Sequence, residues 1–98
     1  MQLHITNEAA AYYKKEMGLK GGDELRLFVK LAGHSTVHPN YSLGIIREAP
    51  VKPAVRAEAD GIAFFLEEQD GWFIGDYDLR IGVKNGEIDM EMVLEQGH

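Results

Sequence analysis

The sharpest pattern of apolar and polar positions lies near the C-terminal end of the chain. In DLRIGVK (78–84) and EIDMEMVLE (87–95) the two kinds of residue alternate with a period of two, and Asn85-Gly86 stands between them. Period two is the signature of a half-buried strand. Asn-Gly supplies the two residues that most readily take positive φ, as a two-residue hairpin turn requires. A turn of that length fixes the register. Lys84 then faces Glu87, Gly82 faces Asp89 and Arg80 faces Glu91 on one side. Val83 meets Ile88, Ile81 meets Met90 and Leu79 meets Met92 on the other. A slip of one residue would set acids against apolar groups, so the two patterns support one register.

The same alternation runs through ELRLFVKLA (24–32), which predicts a strand with Leu25, Leu27, Val29 and Leu31 on one face and Arg26, Phe28 and Lys30 on the other. YSLGIIRE (41–48), interrupted by Gly44, predicts another strand, and IAFFLEE (62–68) a third. APVKPAVRAEADG (49–61) contains Pro50 and Pro53 and reads as a surface loop. Gln69-Asp70-Gly71 predicts a turn before Trp72-Phe73-Ile74, and Gly75-Asp76 a second bend. TNEAAAYYKKEM (6–17) has the helical period instead. Thr6 or Asn7 can cap its start and Gly18 its end. Glu8 and the Lys14-Lys15 pair suit the helix dipole, and Ala9, Tyr12, Tyr13 and Met17 make one apolar face. The elements predict one domain over residues 1–98. It is mainly β (α+β), an N-terminal helix packed on a compact β-sandwich or barrel-like sheet of five to six strands.

Charge narrows the partners. Sixteen acids against ten bases give a formal charge of −6, and no Lys/Arg run exceeds two. A phosphate backbone needs a basic stripe, so nucleic acid is excluded as the expected partner. No apolar run has the length of a membrane span, and Met1-Gln2-Leu3-His4 lacks signal-peptide order. The expectation is a cytoplasmic protein with no membrane partner. The chain has no cysteine, which excludes disulfides and thiol chemistry.

Candidate chemistry concentrates in AGHSTVH (32–38). His34 and His38 have H-x-x-x-H spacing, and they are the candidate metal ligands. On a helix that spacing puts both imidazoles on one face. Here Gly33, Ser35, Thr36, Val37 and Pro39 speak for a loop, and no glutamate follows His34 to complete a metalloprotease signature. Further ligands would have to come from His4, His98 or carboxylates; the ions such a set takes are iron or zinc. Surface imidazoles without a task are the plainer reading. Glu87, Asp89 and Glu91 share a strand face and suggest a divalent cation, but Lys84 and Arg80 opposite them already explain the pattern. Asp76 and Asp78, or Glu67 and Glu68, are carboxylate pairs without a surrounding motif. Ser35 and Thr36 lack a nucleophile elbow, and KGGDE (20–24) lacks the rest of a phosphate loop. Trp72, Phe73, Phe64 and Phe65 could line a groove, although such residues more often fill a core. No catalytic residue is assigned, and the chain is not read as an enzyme.

The order of elements resembles a known family. The helix ITNEAAAYYKKEM, the strand ELRLFVKLAGHST, YSLGI, a proline-bearing connection, GIAFFLEE and FIGDYDLRIGV with its hairpin look like the HesB-like domain, the fold of A-type iron–sulfur carriers. The resemblance covers nearly the whole chain and is strongest at AGHST and DYDLRIGV. It implies that His34 stands where relatives carry their first cluster-binding cysteine, with Gly33 and Ser35 matching its neighbours and Thr36 departing from a usual glycine. Nothing matches the family's C-terminal Cys-Gly-Cys; the chain ends LEQGH, and His98 is only a neighbour of that region. Clusters are held mainly by thiolates, and even two-histidine sites keep cysteines on the other iron. The resemblance therefore implies a cysteine-less branch related to iron–sulfur cluster biogenesis proteins, but not a thiolate-based carrier. It could act through a protein partner or as a homodimer. The alternative is a small ligand- or divalent-metal-binding module using the His34 loop.

Overall fold

The computed structural model describes residues 1–31 and 40–94. Its elements are β1 (Gln2–Ile5), α1 (Asn7–Met17), β2 (Glu24–Lys30), β3 (Ser42–Arg47), β4 (Pro53–Ala59), β5 (Ile62–Glu67), a 3-10 helix (Glu68–Phe73), β6 (Tyr77–Lys84) and β7 (Glu87–Leu94). The strands form two sheets, ordered β1-β6-β7 and β3-β2-β5-β4. The β1–β6 and β2–β5 pairs are parallel, and the other pairs are antiparallel. The fold class is the one predicted, mainly β with one helix packed on the sheets; the described residues form seven strands where five to six were expected, in two sheets that do not close into a barrel.

The helix starts and stops where its caps require. Thr6 Oγ1 accepts from the Ala9 amide at 3.0 Å, and Gly18 takes the left-handed conformation at φ 64° with its N–H on the Lys14 carbonyl. Ala9, Ala10 and Tyr13 are its buried positions. Tyr12 is only partly buried and Met17 is exposed, so the buried face is narrower than the spacing suggested and includes Ala10. The core gathers Leu25 and Leu27 of β2, Ile62, Phe64 and Leu66 of β5, Leu79 and Ile81 of β6, and Phe73-Ile74, all essentially inaccessible. β5 is buried along its whole length. Its inner residues meet the helix side of the core, where the Tyr13 and Phe64 rings lie 6.0 Å apart. Over its other face folds the 3-10 helix, which packs against β2, β4 and β5.

The C-terminal hairpin has the expected register at all six pairs. Two strands escaped the pattern. Residues 53–59, expected as part of a surface loop, form β4 at a sheet edge. Pro53 is its first residue, where a missing N–H is tolerated. Val55 and Ala57 pack on the core opposite Leu66 and Phe64, and Ala59 pairs with Ile62. Alanine contributes little strand signal, which hid the alternation. β1 is only four residues long and pairs in parallel with β6 across almost the whole chain, so no local feature announces it. Gly44 does not interrupt β3; it lies opposite Phe28, whose ring occupies the space that a methyl at 44 would fill. The 72–74 segment belongs to the end of the 3-10 helix and the residue after it.

Candidate functional site

The candidate metal ligands His34 and His38, with Ser35 and Thr36, lie outside the described residues, as does His98. The surroundings of that loop are described. The β2–β3 ladder runs out to Lys30 opposite Ser42, and Leu31 and Tyr41 are the next positions outward on the two strands. Leu31 is 74% exposed, although the alternation of β2 placed it on the buried face. The inner surface of this sheet therefore runs past the end of the core. Asn40 re-enters the described chain at φ 77°, a conformation asparagine tolerates better than most residues.

Beside Tyr41 stands Trp72, which is 53% exposed. The rings meet edge to face, with centroids 5.6 Å apart and planes at 85°. Trp72 also lies edge to face with Phe73 at 5.8 Å. Phe73 and Ile74 are inaccessible, so the chain on the C-terminal side of Trp72 is fixed in the core. A β-carbon on Gly71 would touch Ala54 and Met1 at 3.6 Å, so the backbone on the other side is closely packed as well. Gly75, at φ 54°, turns the chain immediately afterwards. The expectation that these four aromatics fill the core holds for Phe64, Phe65 and Phe73 and fails for Trp72. Its flanking glycines, Gly71 and Gly75, were the available signal for a short turn that holds one side chain out.

Behind this aromatic edge lies a polar network. Arg26 donates to Glu48 Oε2 at 3.0 Å and to Asp70 Oδ2 at 3.1 Å. Burial opposes its charge, but these two carboxylates raise the guanidinium above its ordinary pKa. Arg26 thus ties β2 to the end of β3 and to the 3-10 helix. The Glu67 carboxylate, buried at the end of β5, accepts from the Val51 and Lys52 amides at 3.2 Å. Glu68 instead points outward, 3.4 Å from Lys52 Nζ. These partners assign Glu67 to structure. Near the opposite end of β2, Gly22, Asp23, Glu24, Arg47, Glu48 and Ala49 line an open depression of about 360 Å³ whose carboxylates outnumber its one cation.

The other candidates do not assemble. Asp76 is exposed in the turn, whereas Asp78 is buried in β6 with Oδ1 unbonded. Glu87, Asp89 and Glu91 lie exposed along β7, opposite Lys84, Gly82 and Arg80. His4 lies in β1 opposite Arg80. Among the described residues no group of three or more His, Cys, Asp or Glu side chains could hold a metal ion. The chain has no cysteine anywhere, so its donor set does not fit an iron–sulfur cluster held by thiolates.

Two sheets with one capped helix, and a chain without a thiolate, define a cysteine-less form of a known fold. Escherichia coli SufA, involved in biosynthesis of iron–sulfur clusters, superposes with a TM-score of 0.57 at 20% identity, over 99% of this chain and 83% of that one. The fold is thus the HesB-like one. In sequence, the chain is 43% identical over 81 residues to the pyruvate dehydrogenase inhibitor of Bacillus subtilis, covering 83% of this chain and 85% of that protein. The chain belongs to the family of that inhibitor. An uncharacterised protein of Staphylococcus saprophyticus is 27% identical over 89 residues, covering 88% and 91% of the two chains. No family model matches the chain.

Proposed function

We propose that this chain is a non-catalytic protein inhibitor of a pyruvate dehydrogenase, built on a HesB-like fold whose cluster-carrying chemistry is gone. The observation that carries the reading is the 43% identity to the Bacillus subtilis inhibitor, which spans most of both chains. Two features support it. The missing cysteines remove the thiolate route to a cluster, while the fold is retained. Inhibition by binding needs only a presented surface. The test is to titrate the purified chain into a pyruvate dehydrogenase reaction from the organism that encodes it and follow pyruvate turnover. A saturable fall in rate, with a complex seen by gel filtration, is expected. Full activity at a large excess of the chain overturns the reading.

A second reading rests on His34, which the sequence resemblance aligns with the first cluster-binding cysteine of HesB-like proteins. In that reading the loop holds iron or zinc through His34, with His38 or carboxylates beside it. A ligand that binds only the folded state raises the thermal midpoint. Fe²⁺ or Zn²⁺ should then stabilise the wild type and not His34→Ala; equal midpoints with and without metal overturn it.

A further inference from the structure

We infer that Met90 and Met92 form a reversible oxidation site: a peroxide converts their thioethers to sulfoxides, and the oxidised side chains release β7 from the core. This goes beyond the inhibitor reading and does not depend on it.

Placement comes first. Among the described strands, β7 is the outer one of its sheet and is hydrogen-bonded to β6 alone. No other described element packs on it to a comparable extent. Its hold on the core therefore passes through its inner row of side chains. Three of these pack on the core: Ile88, Met90 and Met92. Two of the three are methionines. They lie two residues apart on one face, opposite Ile81 and Leu79, each 1% exposed. Met90 and Met92 are themselves only half-buried. A small oxidant can therefore reach them from solvent, while their other side rests on apolar groups.

Chemistry comes second. The chain has four methionines and no cysteine, so thioethers are its whole supply of oxidisable sulfur. Hydrogen peroxide transfers one oxygen to the sulfur lone pair and leaves as water. The sulfur is oxidised by two electrons and the peroxide is reduced by two. A flexible apolar side chain becomes a polar one. A buried polar group needs a hydrogen-bond partner. Around Met90 the row offers Leu79, Ile81, Val83 and Ile88, and none of these side chains can donate. Tyr77 supplies the row's hydroxyl, diagonal to Met92 but two pairs away from Met90. The sulfoxides therefore turn to water, Met90 with the greater need, and the strand they anchor loosens with them. Met1 and Met17 differ. They are 36% and 37% exposed and lie outside the core, so an oxygen added to either is already solvated.

The test treats the purified chain with graded hydrogen peroxide, maps oxygen on each methionine by peptide mass spectrometry and follows the thermal midpoint. Met1 and Met17 are expected to oxidise first, with the midpoint unchanged. Oxygen on Met90 and Met92 should then lower it by about 5–10 °C, with faster amide exchange along β6 and β7 and unchanged protection in β5. Leucine is close to methionine in volume. Met90→Leu combined with Met92→Leu should therefore fold and keep its midpoint under peroxide, while Met17→Leu behaves as wild type. Met90→Leu alone should protect more than Met92→Leu alone. Methionine sulfoxide reductases A and B together, with dithiothreitol, should restore the treated wild type. Met90 and Met92 are not the site if they gain oxygen with no fall in midpoint, or if they stay unmodified until the chain is unfolded by heat. The same follows if the double variant loses as much as wild type. The wild-type map and midpoint decide between these outcomes even where a variant folds poorly.

Discussion

The molecule contains two hairpins with nearly the same turn and very different surroundings. β4 and β5 are joined by Asp60-Gly61, at φ 49° and 78°; β6 and β7 are joined by Asn85-Gly86, at φ 53° and 78°. Both turns have the positive-φ pair that matches strand twist. Yet β5 is buried on both faces, while β7 is a sheet edge whose outward row is acidic and whose inward row is only half-buried. Local turn chemistry therefore decides that a hairpin forms, and the layers around it decide how much of the fold depends on it. The first hairpin holds the core, and the second closes one sheet with a charged border. Charged side chains on an edge also discourage pairing with other chains.

That contrast can be broken by substitution. Phe64→Ala removes an inaccessible ring from the middle of β5, and denaturant unfolding should show a loss of about 3–5 kcal/mol. A loss under ~1 kcal/mol would mean that β5 is not the centre of the core. Glu67→Ala leaves the Val51 and Lys52 amides without their acceptor, and should lose about 1–3 kcal/mol with faster exchange of those two amide hydrogens. Gly61→Ala and Gly86→Ala compare the two turns directly. Each places a side chain at φ 78°, a strain of about 1–2 kcal/mol. The added methyl also meets Gly21 at 3.6 Å in the first turn and nothing within 4 Å in the second. Gly61→Ala should be at least as destabilising; the reverse order would show that the outer hairpin is the tighter one. Glu91→Gln, exposed and opposite Arg80, should shift stability by no more than ~0.5 kcal/mol.

Alkaline titration probes the inner hairpin by another route. Burial, with Tyr12 adding to it, pushes the Tyr13 phenol up to about 12 from its ordinary 10.0. Between those values the unfolded chain has released the proton and the folded chain keeps it. The unfolded state binds fewer protons, so stability falls as pH rises through this window. Tyr13→Phe should lose that slope. An unchanged difference between wild type and mutant from pH 10 to 12 would show that the ring is not buried against Phe64.

The outer hairpin was legible because its strands alternate strongly and contain Ile, Val and Leu. The inner one carried an equivalent turn signal in Asp60-Gly61, but Pro50, Pro53 and a run of alanines masked the strand before it. β1 could not have been found locally, because its partner lies at the far end of the sequence. The helix and its caps were readable because capping is local; its buried face was less so, because packing and not spacing decides between Ala10 and Met17. Of the candidate sites, the His34 loop rests on family position and lies outside the described residues. Trp72 was assigned to the core by its type, and only the three-dimensional arrangement of Tyr41, Gly71 and Phe73 around it shows that it faces outward.

The parallel pairing of β1 with β6 has a consequence for the order of events during synthesis. Gln2 lies opposite Asp78, so β1 has no ladder partner until β6 has left the ribosome. The hairpins can close on microsecond timescales once their own residues are available. β1 must wait, and contacts of such long sequence separation slow folding. Until β6 emerges, Leu3 and the apolar side of α1 have only part of their final cover. The emerging chain is then most prone to aggregate, and the rate at which the last third is translated sets how long that interval lasts.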